Sequence, residues 1–341
     1  MITLARLESL LAALPKLSVG LVGDLFLDRY LEIDPHLHEL SIETGLEAYQ
    51  ITRIRNSPGA LGTVMNNLVA LGVGRLVPVT VVGDDGQAYD LFKSLAEMPV
   101  DTSHIIQDAA RLTPTYTKPL RSAGEGAWQE LNRLDLRNRA AMSERTRGRL
   151  FDELAAVFAA TDGLIVLDQV NEEGWGVIDR AVRDRLAELS AHQPDKLMFI
   201  DSRAQIAKFR RGTLKPNVHE CLAALGRASA DDPAAAARDF ARLTGCPLYC
   251  TVGERGILVA GPEGEPVLAP GYAVNGPVDT VGAGDSATAG IVSALLAGAT
   301  RVEAAAVGNL VASITVQQLG ATGTATPRQV LDRWRQVHPQ N

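Results

Sequence analysis

Leu4, Leu7, Leu10, Leu11 and Leu14 recur at the spacing of one helical face, and Pro15 ends the helix they predict. Leu17 to Val22 is an unbroken apolar run, the pattern of a strand buried on both faces, closed by Gly23-Asp24. From Tyr30 to Arg55 the chain alternates polar and apolar positions around Pro35, which predicts a small two-sided sheet or lid. His36 and His38 lie here without a partner at metal-ligand spacing and read as a solvated loop. A helix opens at Pro58-Gly59-Ala60-Leu61-Gly62 and runs to Leu71-Gly72, followed by a strand at Leu76–Val82. Gly83-Asp84-Asp85-Gly86 turns the chain into a helix through Ala96, with the two acids as turn and N-cap residues.

Three strand-like pieces follow, Ile105–Gln107, Thr115–Leu120 and Trp128–Leu134, and are expected to join the sheet of 30–55. Beyond Arg149 helices over 150–160, 173–190 and 232–244 alternate with strands at Leu164–Leu167, Lys196–Ile200 and Leu248–Val252. Thr213-Leu214 adds a short strand, and further strands fall near Ile257–Ala260 and Pro266–Ala269. The helices from Gly284 and over Arg301–Leu319 are nearly all apolar and small, so they must be buried against the sheet. This rhythm predicts an α/β fold: a doubly wound, mostly parallel sheet with helices on both faces and a small β-sheet lid. With no internal repeat or low-complexity linker, residues 1–341 read as one domain, and segments 30–55 and 104–134 as a lid inserted in it.

Composition narrows the partners. Net charge is −7, so no global attraction to nucleic acid or anionic membrane is expected. Six arginines between Arg133 and Arg149 read as a solvated helix face, or as a place to hold a substrate phosphate. Cys221, Cys246 and Cys250 are too few for a disulfide framework and read as buried thiols in a reducing, cytoplasmic setting. Residues 1–15 lack the pattern of a signal peptide, and no apolar run is long enough to span a membrane.

The chemistry concentrates in Asp279-Thr280-Val281-Gly282-Ala283-Gly284-Asp285, at the mouth of an apolar helix. Small residues let backbone approach a ligand, and free N–H groups at a helix start attract anions. A carboxylate there either takes a proton from a hydroxyl beside a phosphoryl group or merely suits the helix dipole. Gly23-Asp24, Asn217 to Glu220 and Gly253 to Gly256 are expected at the same edge of the sheet, where doubly wound folds bind ligands. Asp24 and Asp28 are either ligand-facing acids or turn caps. The sequence holds neither a P-loop nor a dinucleotide-binding Gly-x-Gly-x-x-Gly after the first strand.

The Asp279 to Asp285 segment resembles the C-terminal signature of the ribokinase (PfkB) family of carbohydrate kinases. Asn217-x-x-Glu220, Thr251-x-Gly253-x-x-Gly256 and Gly23-Asp24-x-x-x-Asp28 resemble that family's metal-associated motif, nucleotide turn and sugar-binding strand. Gly23 to Tyr30, Arg133-Leu134-Asp135 and Leu319 to Thr324 look nearest to the kinase part of heptose 7-phosphate kinase/adenylyltransferases. With the chain ending at Asn341, no adenylyltransferase part is expected.

The resemblance implies an ATP- and Mg²⁺-dependent kinase of a sugar or sugar phosphate, with a nucleoside kinase or a non-catalytic sensor as alternatives. Asp285 would be the general base, and the amides of Gly282, Ala283 and Gly284 would hold the developing charge. Asn217 and Glu220 would organise Mg²⁺, and Asp279 would shape a site for a monovalent cation such as K⁺. Thr251, Gly253, Gly256 and Asn309 would border the nucleotide, while Asp28, Asp24, Gly59 and Thr63 would face the acceptor. Lys118, Arg121 and Arg133 would anchor an acceptor phosphate, and the lid would close over the sugar or pair in a homodimer. Ala60 and Thr63 depart from the family's second glycine and its asparagine, which redirects the choice of sugar.

Overall fold

The computed structural model describes residues 2–124, 127–229, 232–320 and 322–339. Ala321, part of the segment resembling the heptose kinases, and the terminal Asn341 lie outside these residues. In chain order the strands are β1 Ser18–Gly23, β2 Leu25–Ile33, β3 Glu39–Leu40, β4 Glu47–Ala48, β5 Ile51–Ala60 and β6 Arg75–Val82. Next come β7 Ile105–Gln107, β8 Thr115–Gly124, β9 Ala127–Glu130, β10 Leu134–Leu136, β11 Gly163–Asp168 and β12 Leu197–Ser202. The last four are β13 Thr213–Leu214, β14 Leu248–Thr251, β15 Gly256–Ala260 and β16 Val267–Pro270. The helices are α1 Leu4–Ala13, α2 Leu61–Ala70, α3 Gly86–Leu95, α4 Glu144–Ala160, α5 Arg180–His192 and α6 Val218–Ala224. They end with α7 Pro233–Thr244, α8 Ala283–Leu296, α9 Arg301–Thr315 and α10 Pro327–Val337.

The large sheet runs β16-β15-β14-β13-β12-β11-β1-β6-β7, parallel from β14 to β7 and antiparallel at β15 and β16. Successive residues point to opposite faces, so the apolar strands feed two cores. Ile165 and Leu167 pack with α1, α2, α8, α9 and α10, whereas Leu164 and Val166 pack with α4, α5, α6 and α7. Small residues bring α8 and α9 together: a Cβ on Gly290 would stand 3.0 Å from the Gly308 Cα. The chain leaves β1 for β6 on one side and later returns to β11 on the other. That reversal opens a crevice at the carboxyl ends of β1 and β11.

The second sheet is ordered β10-β8-β2-β5, with β9 pairing β8. Three expectations change here. Ile105–Gln107 is not a lid strand: it pairs in parallel with β6 at the edge of the large sheet. Pro58, Gly59 and Ala60 belong to β5, and α2 starts one residue later, because Asp24 to Ile33 extends straight from β1 and β5 pairs along it. The helix expected from residue 173 begins only at Arg180, capped by Asp179. The charged α10 was not anticipated; it docks Trp334 against α1, with its indole N–H donating to the Ile2 carbonyl at 3.2 Å.

Candidate active site

Asp24 is the first residue beyond β1. Its carboxylate accepts the N–H groups of Gln169, Val170 and Val177 at 2.8, 3.2 and 2.7 Å. Burial pushes its pKa up and these amides pull it down. The visible work of Asp24 is to pin the 169–177 segment over the end of the sheet.

Asp28 lies further along β2, and strand alternation puts it on the face of Phe26 and Tyr30. Its Oδ1 is 3.2 Å from Lys118 Nζ, which also sits 4.8 Å from the Tyr30 ring centre. A Cβ on Gly59 would lie 2.6 Å from Asp28 Oδ2, so this glycine leaves the space that the carboxylate fills. Next to it, Ala60 is the one non-glycine residue with positive φ among the described residues, at φ 52° and ψ −111°. That region is open to glycine and strained for any side chain. The departure at position 60 therefore acts first on the backbone.

Each of the expected phosphate anchors has an acidic neighbour. Lys118 faces Asp28, Arg121 reaches Glu47 at 3.5 Å, and Arg133 is held by Asp135 while stacking on Tyr116. His38 pairs with Glu47 at 2.9 Å.

Gly282 precedes α8 with φ 78°, a left-handed conformation that suits glycine, and no side chain caps the helix. The Ala283 amide donates to the Thr280 carbonyl at 3.1 Å, which removes it from the expected anion hole. The N–H groups of Gly282, Gly284 and Asp285 have no backbone acceptor among the described residues. Thr63, buried in the first turn of α2, approaches this loop: its Cγ2 is 3.6 Å from where Gly282 would carry a Cβ. Asp279 braces the loop by accepting N–H groups from Val281 at 3.0 Å and Gly320 at 3.2 Å. A cation at Asp279 would have to compete with these donors.

Burial pushes the Asp285 carboxyl up to about 7; Asp201 adds to the rise and Lys215 opposes it. Lys215 and Asp201 form a buried pair at 2.8 Å, and Lys215 Nζ is 3.6 Å from the Cβ position of Gly284. Burial lowers the Lys215 pKa, but Asp201, Glu220 and Asp285 together outweigh it and the net shift is upward. Sequence reasoning gave neither residue a role. The signal was there: each ends an apolar strand, one of them directly before Pro216-Asn217.

Asn217 and Glu220 form a reciprocal capping box on α6, at 2.9 and 2.7 Å. Burial pushes Glu220 up to about 7 despite the amide it accepts. A half-buried carboxyl of this kind suits a divalent cation that would keep it ionised. No group of three His, Cys, Asp or Glu side chains converges among the described residues, so such a cation would rely on water and phosphate ligands, as Mg²⁺ does. The Thr251 N–H donates to the Pro216 carbonyl at 3.0 Å, which joins the β14 end to this cap. Gly253 and Gly256 have φ 64° and 108°, and a Cβ on Gly256 would meet the Ala269 carbonyl at 2.3 Å. Asn309 donates to the Ala269 and Pro270 carbonyls at 2.9 and 3.0 Å, fixing β16 on α9.

The Asp285 carboxyl, pushed up to about 7, thus stands in the first turn of a helix that no side chain caps. The fold agrees with solved structures. Arabidopsis thaliana ribokinase, complexed with ribose and ATP, aligns at TM-score 0.66 and 16% identity over 93% of this chain and 98% of that one. Escherichia coli phosphofructokinase-2, in complex with potassium, aligns at 0.69 and 17% over 94% and 99%.

The chain belongs to the pfkB family of carbohydrate kinases, which it matches over residues 31–328. Among curated relatives, the bifunctional protein HldE of Trichlorobacter lovleyi is 29% identical over 328 residues, 95% of this chain and 64% of the relative. The protein of the same name from Pelobacter propionicus is 28% identical over 338 residues, 97% and 66% of the two lengths. The chain thus spans just under two thirds of these relatives. No helix among the described residues is long and apolar enough to cross a membrane.

Proposed function

We propose that this chain moves the γ-phosphoryl group of ATP to a hydroxyl of a sugar or sugar phosphate, with a heptose-phosphate-like acceptor favoured. The observation that carries this reading is Asp285, raised to about 7 beside the unengaged amides of Gly282 and Gly284. A base with that pKa is half ionised at neutral pH and strong enough to take a hydroxyl proton in the transition state. The amides and Lys215 stabilise charge on the transferring group, and Asp28 orients the acceptor from the lid. Mg²⁺, when bound near Glu220 and Asn217, would screen the nucleotide phosphates. Thr251, Gly253 and Gly256 would border the nucleotide, with Asn309 supporting the strand behind it.

Residues 1–341 would act as one kinase unit. Leu40, Ile42, Leu46, Ile51 and Ile54 are exposed on the outer lid, which supports lid-to-lid pairing in a homodimer. The test is ADP release with MgATP across sugars, sugar phosphates and nucleosides. The reading expects the highest kcat/KM on a phosphorylated sugar. Turnover confined to nucleosides would replace the acceptor class, and ATP binding without turnover on any acceptor would make the chain a sensor.

A further inference from the structure

Asp28 pairs in register with Tyr116, and Tyr30 with Lys118, on the parallel strands β2 and β8. The four side chains therefore share one face of the lid sheet. Phe26 lies on the same face, and it lines the crevice at the end of β1 together with Tyr116. This face is thus turned toward the candidate site. The Lys118 ammonium stands 3.2 Å from Asp28 Oδ1, donates to the Tyr30 hydroxyl at 3.3 Å and lies 4.8 Å from the centre of the Tyr30 ring. Both charged side chains are largely shielded, at 17% exposure for Lys118 and 15% for Asp28, so water and salt screen the pair weakly. The second cation over Tyr30, Arg55, pairs with Glu32 at 2.7 Å, which leaves Lys118 as the cation on Asp28 among the described residues. Burial lowers the Lys118 pKa, but Asp28 and Tyr30 outweigh it and the net shift is upward.

A carboxylate turns easily about its last bond, because that torsion has broad wells. At Asp28 it is bounded on both sides. Lys118 holds Oδ1, and Oδ2 lies over Gly59, where a Cβ would come within 2.6 Å. We propose that Lys118 is a positioning residue for the acceptor: it fixes the Asp28 carboxylate so that Oδ2 stands ready to accept a sugar hydroxyl, and it does not bind an acceptor phosphate. Its charge is already matched by Asp28, and the Tyr30 ring and hydroxyl hold its ammonium in place. The inference rests on the sugar-kinase reading and deepens that site by a residue that acts through Asp28. It also replaces the role of phosphate anchor that the position of Lys118 in the chain first suggested.

Calorimetric binding and steady-state kinetics with fructose, fructose 6-phosphate, sedoheptulose and sedoheptulose 7-phosphate test it. The proteins are wild type, Lys118→Met, Lys118→Arg, Tyr30→Phe, Asp28→Asn and the double variant of Lys118→Met with Asp28→Asn. Thermal unfolding of each checks the fold. Lys118→Met should weaken neutral and phosphorylated sugars by the same factor, about tenfold or more, the span of a lost charge-assisted hydrogen bond, with the KM for ATP in place. Added to Asp28→Asn, it should cost less than about threefold more, because the group it positions is already altered. Lys118→Arg should restore part of the loss, and Tyr30→Phe should show a smaller loss of the same kind. Should Lys118→Met fail to fold, Tyr30→Phe combined with Asp28→Asn gives the same cycle. A loss confined to the phosphorylated sugars would make Lys118 a phosphate anchor and overturn the inference. So would full additivity with Asp28→Asn, or an unchanged sugar affinity in Lys118→Met. Coupled losses in sugar binding without turnover on any acceptor would support the role of Lys118 while removing the kinase reading.

Discussion

Lys215 Nζ stands 2.8 Å from Asp201 Oδ2 inside the protein, next to the helix start that carries Asp285. Breaking one half of a buried pair leaves an uncompensated charge, which typically costs about 3–5 kcal/mol. Lys215→Met should therefore lower the unfolding free energy by about 3 kcal/mol in chemical denaturation. Lys215 also holds the Asp285 pKa down, so its loss should move the acid limb of the rate profile to higher pH. A destabilised variant with an unmoved limb would reduce Lys215 to a purely structural residue.

Asp285 itself predicts the pH profile. A base must be ionised to accept a proton, so kcat/KM should rise with pH and level off above about 7. Stability should run the opposite way between pH 5 and 8. Burial raises Asp285, Glu220 and Asp168 to about 7 in the folded chain, which therefore retains protons that the unfolded chain has lost. Their contribution is complete below the unfolded carboxyl pKa and disappears as pH rises through about 7. Asp285→Asn should flatten part of that slope in thermal unfolding across this range; an unaltered slope would contradict the raised pKa.

Ala60 and Gly59 make opposite predictions on neighbouring positions. Ala60→Gly relieves a backbone conformation that costs about 1–3 kcal/mol, against about 0.5–1 kcal/mol of added unfolded-state entropy. Denaturant unfolding should show a net gain near 1 kcal/mol. Gly59→Ala drives a methyl into Asp28 and should raise the acceptor KM about tenfold or more, leaving the KM for ATP in place. Equal effects on both substrates would place Asp28 outside the acceptor site.

Glu220→Gln removes one negative charge near the nucleotide edge. The Mg²⁺ concentration for half-maximal rate should rise, with the capping hydrogen bond to Asn217 retained by the amide oxygen. An unchanged Mg²⁺ dependence would leave Glu220 as a helix cap alone.

The sheet, the lid and the carboxylate at the head of α8 were legible because each has a local signature. Apolar runs such as Leu17 to Val22 mark buried strands, and glycines mark backbone that must approach a ligand. What was hidden depends on contacts between distant segments. Ile105–Gln107 looks like any short strand, and only its pairing with β6 decides its sheet. Lys215 and Asp201 carry no motif of their own, and their pairing arises only where the ends of β12 and β13 meet beside α8. Arg133 pairs with Asp135 two residues on and stacks on Tyr116, contacts that its position in the chain does not announce.

The most direct measurement is phosphoryl transfer from MgATP to a sugar phosphate, followed by phosphorus NMR of the product, for wild type and Asp285→Asn. The account predicts acceptor-dependent product with wild type, and a rate lower by about 10²–10⁴-fold in the variant. ATP should still bind the variant by calorimetry. Near-native transfer by Asp285→Asn, or no transfer by wild type to any sugar or sugar phosphate while ATP binds, would contradict it.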